Sequence, residues 1–168
     1  QAVSQTDSRG PRSSLLMSVE DLASALRPSA GGPQGEAGLV VVDCRFNLLK
    51  PEAGRAAWLA GHIPGAFYAD LNQDLSSPPR PDTGRHPLPD PEQLRTVLGG
   101  FGIGKATRVV AYDEGGGGLA ARLWWLLRWM GHGPVFLLDG GFSAWQKAGL
   151  PVDRDVPALR TRRFEGQP

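Results

Sequence analysis

The chain has 168 residues and 17.9 kDa and is 40% hydrophobic with five tryptophans, which fits one packed domain and leaves no room for a second full-sized core. Eighteen Lys and Arg against 17 Asp and Glu give a formal charge of +1, so nothing in the overall charge points to nucleic acid or a membrane as partner. One cysteine, Cys44, and three scattered histidines, His62, His86 and His132, exclude an intrachain disulfide and a multi-thiolate metal site, and neither metal nor cofactor is expected.

Residues 1–14 carry no periodicity and read as a disordered arm. The chain opens at Gln1 with no apolar leader, and is expected to be a piece of something longer. No stretch reaches the roughly 18–20 apolar residues of a bilayer span, so a soluble chain, cytoplasmic by default, is expected. Ser18, followed by Glu20 and Asp21, predicts a helix start, and Val19, Leu22, Ala23 and Leu26 recur at helical spacing until Pro28. A Gly/Pro loop spans Ser29 to Gly38. The apolar run Leu39 to Val42 ends in Asp43 and has the pattern of a strand buried on both faces.

Pro51 to Ala60 predicts a helix closed by Gly61, and Ala66 to Tyr68 a short strand. Asp90 and Pro91 cap and start a helix through Leu98, ended by Gly99 and Gly100. Arg108 to Tyr112 is the clearest strand. A helix from about Leu119 to Met130 is apolar on nearly all sides and is expected to be buried, with one edge of Trp124, Trp125 and Trp129 left for a partner. Val135 to Leu138 reads as a strand and Gly141 to Ala148 as a short helix. In the polar stretch from Pro151 to Pro168, Arg154, Arg160, Arg162 and Arg163 alternate with Asp153, Asp155 and Glu165, the pattern of a solvated linker rather than a nucleic-acid patch. Strands alternating with helices predict an α/β domain with a mainly parallel central sheet.

Ligands of such sheets sit beyond the carboxyl ends of the strands, which directs attention to Asp113-Glu114-Gly115-Gly116-Gly117-Gly118. Four glycines expose backbone amides, and the helix behind them adds its positive end, so Gly115, Gly116, Gly117 and Gly118 can cradle an anion, with Arg122 supplying charge. The alternative is a crowded turn in which Arg122 pairs with Asp113 or Glu114. A phosphate-binding loop of the Gly-Lys-Ser/Thr type is absent. The dinucleotide pattern is met by Gly115, Gly117 and Ala120, with Asp139 about 20 residues on, and stands as a distant alternative function.

Four separated segments together resemble one family. Gly61-His62-Ile63-Pro64-Gly65-Ala66, placed after Val42-Asp43-Cys44-Arg45, is similar to the first signature of rhodanese-type sulfurtransferases. Leu138-Asp139-Gly140-Gly141-Phe142 through Trp145 to Gly149-Leu150-Pro151-Val152 is similar to the closing one. His86-Pro87-Leu88-Pro89, and Tyr112-Asp113-Glu114-Gly115 with Arg122-Leu123-Trp124-Trp125-Leu126-Leu127-Arg128, resemble the N-terminal half of tandem thiosulfate and 3-mercaptopyruvate sulfurtransferases.

The resemblance implies a rhodanese-like single domain over 15–152, helices on both faces of its sheet, and a linker at 153–168 leading toward a second, catalytic rhodanese domain as partner. It implies a persulfide-forming cysteine after the central strand, where this chain has Asp113. A carboxylate cannot accept sulfane sulfur, and it repels anionic donors. The chain therefore resembles the non-catalytic half, inactive alone, of a protein moving sulfur from thiosulfate or 3-mercaptopyruvate to cyanide or a thiol, with small sulfur anions at a shared cleft. The family assigns the histidine matching His62 to a proton relay at the interface; the acidic partner nearest here is Glu52, and fixing the turn before Pro64 is the other reading. Gly118 stands where the family has an aromatic. Cys44, with Asp43 raising its pKa and Arg45 lowering it, reads as a structural cysteine. A stand-alone inactive homologue that binds an anion or a protein is the alternative function.

Overall fold

A computed structural model describes residues 15–27, 38–160 and 162–168. The expected arm at 1–14 and most of the 29–38 loop lie outside the described residues. Ten elements follow in order: β1 (Leu16–Met17), α1 (Val19–Leu26), β2 (Leu39–Asp43), α2 (Ala53–Ala60), β3 (Phe67–Tyr68), α3 (Pro91–Gly100), β4 (Arg108–Tyr112), α4 (Gly118–Trp129), β5 (Val135–Leu138) and α5 (Gly141–Lys147). The five strands form one parallel sheet in the order β1-β5-β4-β2-β3.

The two long strands run in register from Leu39 opposite Arg108 to Asp43 opposite Tyr112. Side chains alternate across a strand, so Val40, Val42, Val109 and Ala111 face one core while Val41, Val110 and Tyr112 face the other. The first core is closed by Leu94 and Leu98 of α3 and Leu123, Leu126 and Leu127 of α4. The second is closed by Val19 and Leu22 of α1 and Phe142 and Trp145 of α5. Both faces are covered, which is why these strands are apolar throughout.

Local signals place most of the helix ends. Ser18 accepts the Asp21 amide at 3.0 Å and Asp90 that of Gln93 at 3.2 Å, each closing a first turn. The predicted helix from Pro51 begins instead at Ala53. The strand β1 carries no signal in the sequence; two residues are too few for periodicity, and pairing with β5 alone creates it. The helix α3 does not stop at Leu98 but runs through both glycines. Gly99 serves a close approach there: a methyl group would collide with the Arg162 carbonyl. On α4, Leu123, Leu126 and Leu127 are buried as expected, whereas Trp125 stacks on Trp129 and stands 46% exposed.

The segment expected to be a solvated linker lies along the domain. Asp153 and His62 exchange backbone hydrogen bonds at 2.8 Å, and the amides of Arg160 and Arg162 donate to Gly100 and Gly99 at 2.8 and 2.9 Å. Phe164 is buried in the first core, and Arg95 of α3 donates to the Gly166 carbonyl at 2.8 Å. The charged side chains of this segment do face solvent, which is what its composition records; one phenylalanine anchors its backbone.

Candidate functional site at the carboxyl end of the sheet

Asp113 follows the central strand, and its side chain turns back into the loop it opens. One carboxylate oxygen accepts the amides of Gly115 and Gly117, both at 3.0 Å; the other accepts those of Leu119 at 3.1 Å and Ala120 at 3.0 Å. The residue is 4% exposed. Four N–H donors and the positive end of α4 thus converge on one negative charge. Gly117, at φ 83°, holds the left-handed conformation that turns the chain into the helix.

The outer side of the loop rests on α5. Phe142 donates to the Asp113 carbonyl and Ser143 to that of Glu114, both at 2.9 Å. Gly141 permits this contact, because a Cβ there would strike Asp113 and Gly115. Over Gly116, Gly117 and Gly118 the surface is open, with no wall where an aromatic is expected.

Of the four glycines expected to cradle an anion, Gly115 and Gly117 give their amides to the chain's own carboxylate, and Leu119 and Ala120 supply the other two donors. This corrects the dinucleotide alternative, since a pyrophosphate needs the amides that Asp113 occupies. Asp139 closes β5, its amide donating to Met17.

Arg122 does not face this loop. Its Nε and Nη2 donate to the Leu75 carbonyl at 3.2 and 3.1 Å, and Nη2 also reaches the carbonyls of His86 at 3.0 Å and Pro87 at 3.1 Å and the Ser76 hydroxyl at 3.4 Å. The partners proposed from sequence, Asp113 and Glu114, are both elsewhere. Glu114 instead lies 4.0 Å from Arg45.

Arg45 belongs to a buried network that the sequence reading missed. Its Nε and Nη2 grip the Asp43 carboxylate at 2.7–3.1 Å, Nη2 donates to Gly61 at 2.6 Å, and the guanidinium lies 4.1 Å from the Phe142 ring centre. Tyr112 donates its hydroxyl to Asp43 at 2.8 Å and accepts the Ile63 amide at 3.2 Å. Burial, and then the Asp43 charge, push the Tyr112 phenol far above its ordinary range, so it stays a donor. The available signal was an Asp-x-Arg immediately after a buried strand, which demands a buried partner for each charge.

His62 is fully buried and stacks on Trp58 at 5.2 Å between ring centres. Its Nδ1 lies 2.7 Å from the Trp58 carbonyl and its Nε2 2.8 Å from that of Asp155. It ties the end of α2 to the C-terminal segment. Glu52, its expected partner, is exposed at the start of α2 and makes no capping bond. Cys44 is buried in the core beside β2, and burial first, then Asp43, Asp113 and Asp74, raise its thiol well above the ordinary range.

Among the described residues, no group of three His, Cys, Asp or Glu side chains could hold a metal, and no helix is long and apolar enough to cross a membrane.

A family model described as a rhodanese-like domain matches residues 29–148. The chain belongs to the rhodanese family. This rhodanese domain is 46% identical over 158 residues to a Pseudomonas aeruginosa protein named "Probable 3-mercaptopyruvate sulfurtransferase", covering 93% of this chain and 53% of that one. It is 40% identical over 160 residues to the human 3-mercaptopyruvate sulfurtransferase, covering 90% and 50%. Among solved structures it resembles the Escherichia coli 3-mercaptopyruvate enzyme SseA with a TM-score of 0.73, 28% identity and coverage of 92% and 55%. The chain spans about half the length of the curated relatives it matches.

Proposed function

We propose that this rhodanese domain is the non-catalytic half of a two-domain sulfurtransferase, which moves sulfane sulfur from thiosulfate or 3-mercaptopyruvate to cyanide or a thiol. The sulfur is carried as a cysteine persulfide on the other half, the partner of this chain. The observation that carries the reading is the Asp113 carboxylate seated on two amides of its own loop and two of the first turn of α4. A carboxylate has no sulfur lone pair with which to open a sulfane bond, and its charge turns anionic donors away. The lone thiol, Cys44, is buried and protonated, the opposite of a nucleophile's environment. The relatives' length supports a second half, and their names support the two donors. This half contributes a cleft wall and an interface.

The test is thiocyanate release from cyanide with each donor, by this chain and its Cys44→Ser variant, with a mass measurement on Cys44 after exposure to donor. No turnover and no sulfur added to the thiol are the expected results. Turnover that disappears in the variant would make Cys44 the carrier and overturn the reading.

A further inference from the structure

The excursion between Leu75 and Pro87 has both of its ends on one guanidinium. Leu75 and Ser76 at one end and His86 and Pro87 at the other accept from Arg122, and the Ser77 amide closes the base on the Pro87 carbonyl at 3.1 Å. Every partner is neutral, so Arg122 stays cationic without an ion pair; burial lowers its pKa from the ordinary arginine value, yet such a group does not deprotonate near neutrality. A planar fork of donors can bridge carbonyls from two chain segments, which a lysine ammonium cannot do in the same geometry.

Between those ends, residues 78–85 are exposed throughout and read Pro-Pro-Arg-Pro-Asp-Thr-Gly-Arg. Three prolines stiffen the strip, and the Thr83 hydroxyl closes a turn on Arg80. Arg80 and Arg85 form no ion pair among the described residues. Arg122 sits in the first turns of α4, so both ends of the strip are tied to the helix that the 113–118 loop opens, a loop that presents the exposed Glu114 carboxylate to solvent.

We infer that Arg122 is a positioning residue that holds the 75–87 excursion in place, so that Arg80 and Arg85 form a cationic rim drawing the anionic sulfur donor past the acidic loop. The steering rests on the sulfurtransferase reading; the clamp does not.

Two measurements separate them. In this chain, trypsin cleavage after Arg85 reports opening of the excursion. Arg122→Met speeds it on the order of tenfold, and Arg122→Lys by less, while the melting transition stays cooperative. An unchanged rate in both variants overturns the clamp. In the full-length protein, Arg80→Gln with Arg85→Gln raises KM for thiosulfate about threefold to tenfold at low salt with kcat kept, and the difference vanishes in about 1 M salt. Arg122→Met gives the same salt-dependent rise, which a merely structural loss would not. A KM unmoved at low salt overturns the steering. A full-length wild type inactive with both donors overturns it together with the sulfurtransferase reading, and cleavage after Arg85 still decides the clamp.

Discussion

Ala120 lies seven residues beyond Asp113, across a loop and the first turn of α4, yet its amide donates to the Asp113 carboxylate at 3.0 Å. With the amides of Gly115, Gly117 and Leu119 this makes the aspartate an internal anion for a loop that would otherwise leave inward-facing donors unmet. Asp113→Ala is expected to cost about 2–4 kcal/mol, and Asp113→Asn less, because one acceptor oxygen remains. Urea unfolding measures both. Sulfate should raise the melting temperature of the alanine variant and leave the wild type unmoved. A variant as stable as wild type would show that the loop holds its shape without the carboxylate.

Asp113→Cys places a thiol at the head of the same loop and is expected to remain a poor sulfurtransferase. Glu114 still presents an exposed carboxylate beside it, and above Gly116 to Gly118 the site stays open to water. Thiocyanate release from thiosulfate and cyanide reads the outcome. Vigorous turnover would mean that the loop is competent as it stands and that residue 113 alone silences it.

Asp43 and Tyr112 are joined through a carboxylate that also holds Arg45, and the three do not contribute equally. Asp43→Asn leaves the buried Arg45 guanidinium with only the exposed Glu114 carboxylate, 4.0 Å away, as counter-charge and is expected to cost about 3–5 kcal/mol. Tyr112→Phe removes one donor from a carboxylate that keeps its other partners, and is expected to cost about 1–2 kcal/mol. Denaturant titrations that gave the reverse order would show that the hydroxyl, not the ion pair, organises this end of the sheet.

The elements of this fold were legible where a run of residues repeats a period. The β-branched runs at 39–43 and 108–112 gave the two central strands, and Ser18 and Asp90 gave two helix starts through the caps they form. What the chain hides is convergence. No spacing shows that Leu75, His86 and Pro87 bring their carbonyls to one point, where the Arg122 guanidinium meets them. The anionic character of Asp113 was readable from the residue type alone. Its four amide partners depend on a backbone path that the glycines permit but do not dictate. Phe164 is lost to composition because one aromatic among charges carries no periodicity.

That residue sets up the remaining prediction. Phe164 packs 5.9 Å from the ring centre of His132, which is buried and whose Nε2 bonds the Thr107 carbonyl at 2.7 Å. Burial lowers the His132 pKa below its ordinary 6.5. The unfolded chain then takes up a proton near pH 6.5 while the folded one does not, so stability is full above that pH and falls as pH drops toward the depressed folded value. His132→Asn removes the titrating ring and should flatten this acid loss, read as the change in melting temperature between pH 7.5 and 5.5. Phe164→Ala is expected to cost about 3 kcal/mol at pH 7.5 and, by admitting water to His132, to shrink the acid loss as well. If the alanine variant lost stability but kept the wild-type acid slope, the C-terminal segment would be an anchor only, with no part in keeping His132 dry.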